Sequence, residues 1–296
     1  MTKVAELYGV PTVMSADWTD VVKRQTCPFL NRKCLKNRKS EADVTIGTCT
    51  MIYGRNPRPV MICPLRLLDR SQVFTDCTHL LTLHEPGNEL RIVPEVTVPG
   101  GSIDYCLTSV RKGKPRDFAG IELQTMDSTG TVWPERQRFV QRYGVRVKQK
   151  DAKSPKRFGI NWKHTAKTTL VQLNHKIATF EHLGKRLVLV LQDCLLDYMR
   201  RAFAFDHIRG IRDGDPMQFH SYELHKETPA YRLELKERFS TDGLGVAKCL
   251  GLQVSPRVEL EAVLEQIEAK LPQSTLLRVG GVVPVPKSLD MEADED

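Results

Sequence analysis

The chain has 296 residues, of which 41% are hydrophobic and 27% charged, and a formal net charge of +8. That is enough apolar material for one large domain or two modest ones, and too much for a disordered chain. No stretch approaches the roughly 18 apolar residues of a membrane span. The opening "MTKVAELYGVPTVMSADW" has neither the apolar run nor the small-residue cleavage site of a secretory signal, so a cytoplasmic protein is expected.

Eight cysteines in a reducing compartment argue against a disulfide framework. Four of them, Cys27, Cys34, Cys49 and Cys63, are separated by six, fourteen and thirteen residues, which is not the spacing of a zinc ribbon. Cys27 and Cys63 are each followed by proline, which fixes the backbone beside a potential ligand. The polar stretch "LKNRKSEADVTIGT" between them has little core of its own and would gain from a metal staple. Four thiolates suit zinc or iron equally well; the alternative is four unrelated buried thiols. Cys77, Cys106, Cys194 and Cys249 stand apart in apolar surroundings and are expected to pack in the core.

Three strands follow. "ELRIVPEVTV" leads through Pro99, Gly100 and Gly101 into "SIDYCLTSV", and "RKGKPR" turns the chain into "DFAGIELQT". Period two puts Glu122 and Gln124 on one face, their Cα atoms about 6.5–7 Å apart. Asp104 reaches that face if the register agrees. An unpaired carboxylate costs several kcal/mol to bury, so these acids either meet solvent or hold a partner such as a metal ion.

From Pro134 to Lys167 there are eleven Lys or Arg against Glu135 and Asp151, a local excess of nine. Phe139, Tyr143, Phe158 and Trp162 interleave with them, as a phosphate-binding surface requires; a merely solvated face is the alternative. "TAKTTLVQLNHKIATFEHL" then carries apolar or small residues at 166, 170, 173, 177, 180 and 183, the stripe of an amphipathic helix. Gly184 caps it, and "KRLVLVLQD" reads as a buried strand. Strand, strand, strand, helix, strand predicts an α/β fold with a helix packed on a mixed central sheet. Beyond it, "MQFHSYEL" and "YRLELKERF" read as strands, "SPRVELEAVLEQIEAKL" as an amphipathic helix, and the acidic tail as disordered. His79, His84, His164, His175, His207 and His220 show no ligand-like spacing.

Two carboxylates on adjacent strands are what a divalent ion needs in order to meet a phosphodiester. Asp104, Glu122 and Gln124 form the candidate catalytic set, with Glu95 as a possible further ligand and the carbonyl of Leu123 as another. Surface acids on a sheet are the plainer alternative.

The stretches "PEVTVPGGSIDYCL" and "DFAGIELQTMDSTG" resemble the catalytic core of the PD-(D/E)XK nuclease superfamily. With "CPF", "ICP", "FGINWKHT" and "LVQLNHKIATFEHLGKRLVLVLQD", the chain resembles more narrowly the restriction endonucleases of the NotI type, from about Cys27 to Asp197. The resemblance implies a PD-(D/E)XK-type mixed central sheet flanked by helices, behind an N-terminal four-cysteine segment that holds a metal, iron in the family's reference case. It implies that Asp104 and Glu122 bind Mg²⁺ and that Gln124 stands where the wider superfamily has lysine. Glutamine offers an amide donor and acceptor but no charge, which leaves the metal to carry the electrostatic work.

The expected activity is a type II restriction endonuclease that makes sequence-specific double-strand breaks by Mg²⁺-dependent hydrolysis. A homodimer matches a palindromic site, and a cognate DNA methyltransferase is a functional companion, not a bound partner. Arg136, Arg142, Lys156, Arg157, Lys163 and Lys167 are candidate DNA contacts. The expected division is residues 1–75 for the cysteine segment, 76–205 for the nuclease core, 206–287 for recognition and dimerisation, and 288–296 for the tail. A repair nuclease of the same fold with an iron–sulfur cluster, or a DNA-binding protein without catalysis, are the rival readings.

Overall fold

The computed structural model describes residues 2–208, 210–227 and 230–252, with 264, 265 and 269. The helix expected over 255–271 therefore falls almost wholly outside the described residues, as does the tail. The described residues up to Leu252 form one compact unit.

The first quarter builds short strands. β1 (Val4–Leu7) and β2 (Val10–Pro11) precede helix α1 (Trp18–Arg24). Two small hairpins follow, β3 (Thr26–Cys27) with β4 (Arg32–Lys33) and β5 (Asn37–Arg38) with β6 (Glu41–Thr45). β7 (Thr48–Tyr53) and β8 (Arg58–Met61) then complete a four-stranded sheet in the order β2-β1-β7-β8. Tight helical turns at Pro64–Ser71 and Thr78–Leu80 flank α2 (Gln72–Asp76).

The three expected strands are β9 (Glu89–Val98), β10 (Gly101–Arg111) and β11 (Lys114–Gln124), an antiparallel meander. β11 starts three residues before the expected stretch. Lys112 and Gly113 both have positive φ (50° and 73°), so two residues suffice to reverse the chain. β12 (Ser128–Gly130) precedes the basic segment, which itself holds α3 (Trp133–Arg142), α4 (Gln149–Ala152) and β13 (Phe158–Ile160). Helix α5 (Trp162–His182) is the expected amphipathic helix, and β14 (Arg186–Gln192) the expected buried strand. α6 (Asp193–Ala202), β15 (Met217–Glu227), β16 (Ala230–Thr241) and α7 (Gly243–Cys249) close the unit.

The central sheet runs β16-β15-β14-β11-β10-β9. β11, β14 and β15 are parallel, which requires crossovers, and α5 and α6 lie in those connections. The sheet is thus mixed, as the element order predicted. Residues 206–241, expected to belong with recognition and dimerisation, supply its last two strands.

Alternation along β14 explains the two cores. Leu187, Leu189 and Leu191 pack with Ala166, Leu170, Leu173, Ile177 and Phe180 of α5. Val188 and Val190 face the opposite way, into a second cluster with Leu67, Phe74, Leu107 and Ile121. Leu183, the last residue of the expected stripe, is 49% exposed because the helix has already ended.

Candidate active site

Ile121 belongs to the second core, while Phe118, Gly120 and Glu122 at the alternate positions of β11 meet Phe180 and Lys176 of α5. Gln124 continues that alternation; Asp104 follows Ile103 of the α5-side core, past the end of regular β10–β11 pairing, and joins Glu122 and Gln124 by local geometry. They line a single cleft of about 410 Å³ with Leu123, Gly100, Gly101 and Ser102 from the strands and Thr169, Gln172, Leu173 and Lys176 from α5. The structure therefore brings together three of the four side chains expected in catalysis.

The local geometry shows why Asp104 is available. Regular pairing of β10 with β11 ends at Tyr105–Ile121. One step further, the Asp104 carboxylate accepts a hydrogen bond from the Leu123 amide at 2.8 Å, so a side chain takes over where the ladder stops. Glu122 lies directly beyond, its side chain 13% exposed, and accepts a hydrogen bond from Lys176 Nζ at 2.7 Å. The Glu122 carboxyl is held up to about 7, chiefly by burial, with the hydrogen bond and charge of Lys176 lowering it and the Asp104 charge adding to the rise. The Gln124 amide donates to the Thr125 carbonyl at 2.6 Å.

Glu95 is not part of this cleft. It is exposed, with φ +54°, and the β9–β10 ladder is interrupted there, between Tyr105–Pro94 and Ile103–Val96. The left-handed backbone at Glu95, directly after Pro94, is a local departure from the extended strand that its sequence position alone did not reveal.

Lys176 was not anticipated. It donates also to the Ser102 carbonyl at 2.6 Å, and its side chain is only 9% exposed. Two glycines permit this approach. A Cβ at Gly100 (φ +92°) would lie 2.2 Å from the His175 carbonyl oxygen, and one at Gly101 would lie 3.1 Å from Lys176 Cε. The signal in the sequence was a lysine in line with Leu173 and Phe180 on the apolar stripe of a helix.

The expected DNA contacts divide. Arg142, Lys156, Arg157, Lys163 and Lys167 are exposed. Arg136 is corrected: it is 3% exposed, donates to the Ile46 carbonyl (2.8 Å), Gln137 (2.7 Å) and the Tyr8 hydroxyl (3.2 Å), and stacks over Trp133. It ties α3 to the N-terminal sheet and presents no donor to a phosphate.

Cys27, Cys34, Cys49 and Cys63 are all buried. Burial, and the proximity of one cysteine to another, raise the thiols of Cys27, Cys49 and Cys63; Cys34 acts on both Cys27 and Cys63. The four therefore share one neighbourhood although they come from β3, β7 and two loops. Their sulfurs are more widely spread than in a closed ligand set. Among the described residues, the group of three or more candidate ligands whose atoms all lie within 4.8 Å of one another is Glu223, His225 and Glu234, on the exposed β15–β16 hairpin. Cys77 and Cys194 are pushed up to about 12 by burial, in keeping with packing roles.

Opposed carboxylates in a cleft that also holds a cation, on a mixed sheet beside exposed basic residues, suit the handling of a phosphodiester. The sequence matches the family described as Restriction endonuclease NotI over residues 18–235, and the chain belongs to that family. Membership makes it a restriction endonuclease, a site-specific deoxyribonuclease with DNA as its substrate. No curated protein matches the chain. Among the described residues, no helix is long and apolar enough to cross a membrane.

Proposed function

We propose that the chain is a type II restriction endonuclease of PD-(D/E)XK type that cuts both strands of DNA at a specific sequence, with Asp104, Glu122 and the Leu123 carbonyl holding Mg²⁺. The observation that carries this reading is the shared cleft: both carboxylates and Gln124 open on the α5 side of the sheet. Paired acids, one of them held up to about 7, are groups that a divalent ion would relieve of mutual repulsion. Bound there, Mg²⁺ would polarise the phosphoryl group and acidify a water. The residues' own share is to orient: Asp104 is fixed by the Leu123 amide, and Gln124 offers an amide to position the water.

The exposed cations at 142, 156, 157, 163 and 167 supply phosphate contacts in this reading. Lys163 and Lys167 sit on α5, the helix that also lines the cleft. A homodimer working in the cytoplasm, paired functionally with a methyltransferase, completes the proposal. The four thiols fit a structural iron or zinc by donor chemistry and shared burial. Closing around the ion would require the sulfurs to draw together, with loss of their protons.

The test is Asp104→Ala in purified protein, with the ends of a DNA of known sequence mapped after incubation with Mg²⁺. Wild type should yield discrete fragments; the variant should bind DNA in Ca²⁺ and leave it uncut. Undiminished cleavage by the variant would refute the assigned site, and trimming from the ends would favour a repair nuclease. Metal analysis of the wild type should return about one iron or zinc per chain, and a folded, metal-free preparation would remove the four-thiolate site.

A further inference from the structure

We propose that Lys176, delivered by α5, is the catalytic cation of this cleft and contacts the scissile phosphate, filling the electrostatic role that the uncharged Gln124 leaves open. The inference rests on the reading of the cleft as the nuclease site.

Three observations support it. The first is a count of donors. An ammonium has three N–H groups; Lys176 donates to Glu122 and to the Ser102 carbonyl, which leaves one for a ligand in the cleft that Lys176 lines. The second is placement. Lys176 occupies the α5 stripe between Leu173 and Phe180, where an apolar side chain would satisfy the fold without the desolvation of a charge. The third is the turn. Gly100 and Gly101 are required for α5 to lie this close, since a side chain at Gly100 would meet the His175 backbone. The Pro-Gly-Gly sequence thus fixes the distance from helix to strands, and with it the reach of the ammonium.

The chemistry needs such a group. In phosphodiester hydrolysis the water oxygen bonds to phosphorus as the bond to one sugar oxygen breaks. The water's proton leaves to solvent, the departing alkoxide takes one up, and negative charge is spread over the non-bridging oxygens. Lys176 keeps its own proton throughout. Its charge and third N–H stabilise those oxygens in a cleft where water screens them poorly.

The test compares Lys176→Gln, Gln124→Lys and the exchange variant carrying both. Lys176→Gln should lower kcat about 100- to 1000-fold, with DNA affinity in Ca²⁺ little changed. Its affinity for Mn²⁺ alone, measured by calorimetry, should be kept or increased, because one positive charge fewer faces the ion. The exchange variant restores an ammonium to the cleft and should cleave well above Lys176→Gln; it also serves if the single variant does not fold. Wild-type cleavage by Lys176→Gln, loss of Mn²⁺ binding, or a folded exchange variant that does not cleave would each overturn the proposal. Asp104→Ala and Glu122→Ala separate the two levels of the argument. If either cuts normally, the site reading itself fails; if both are inactive while Lys176→Gln is active, only the role of Lys176 is lost.

Discussion

Two buried acid–base pairs in this molecule look alike on paper and differ in what surrounds them. Glu6 and Arg66 are each 2% exposed. The Arg66 guanidinium donates to both Glu6 oxygens (2.9 and 3.1 Å), to Asp69 (3.1 Å) and to the Tyr231 carbonyl (2.9 Å), while Thr50 donates to Glu6. That network is nearly saturated and leaves little for a ligand to take. Glu122 and Lys176 border an open cleft, the ammonium keeps a donor in reserve, and the carboxyl is held up to about 7 chiefly by burial. A satisfied pair locks elements together; an unsatisfied one at a cleft is ready for a partner from outside.

The comparison can be broken by making the same change in both places. Glu122→Gln should lower Mg²⁺-dependent cleavage by about a thousandfold and leave the unfolding midpoint at pH 8 unchanged or raised. Glu6→Gln should do the reverse, costing about 3–5 kcal/mol of stability by leaving Arg66 without its counter-charge. Its cleavage per folded molecule should stay at the wild-type level. Denaturant titration and initial rates on the two variants measure both effects; similar behaviour in the two would erase the distinction.

A smaller effect is expected with pH. Because the folded Glu122 carboxyl lies near 7, above its ordinary 4.5, the folded protein holds that proton more tightly than the unfolded chain. Its contribution to stability is therefore lost as pH rises from about 4.5 to 7 and is level above. Asp104 on β10 and Lys176 on α5 are the charged groups acting on it. Protons should compete with Mg²⁺ at the same oxygens, so half-saturating Mg²⁺ should rise about tenfold per unit below pH 7. Glu122→Gln should abolish both dependences, read as the difference between the two proteins in stability and metal titrations.

The smallest effects concern the basic segment, which contrasts within itself. Lys163→Ala and Lys167→Ala should each reduce the salt dependence of DNA binding by about one unit of slope with stability unaltered. Arg136→Ala should lower stability and leave the slope intact. Binding isotherms across a salt series, with thermal melts, distinguish exposed from buried cations.

Strict periodicity made much of this legible. The α5 stripe and the alternation along β11 fix which faces are buried and put Glu122 and Gln124 on one side of the sheet; whether Asp104 joins them depends on strand register, which the sequence does not give. Lys176 was hidden because its meaning lies in a contact with Glu122, 54 residues earlier. Only the packing of α5 against the Pro-Gly-Gly turn creates that contact. Arg136 misled for a related reason: a charge count records sign and not depth, and the Ile46 carbonyl and Tyr8 hydroxyl that bind it lie 90 and 128 residues earlier. Glu95 lies outside the cleft lining, with a left-handed backbone that a single residue letter does not announce.

That same irregularity has a consequence for the protein's life in solution. β9 is the outermost strand of the sheet, ten residues long, with Leu90, Ile92 and Val93 exposed. A straight border of that length would template another chain. Pro94, which has no amide hydrogen to give, and the left-handed Glu95 after it interrupt the border near its middle, so no incoming strand can zip along its full length. The kink divides the row of backbone groups that this border offers for strand pairing, at a point next to the strand that carries Asp104.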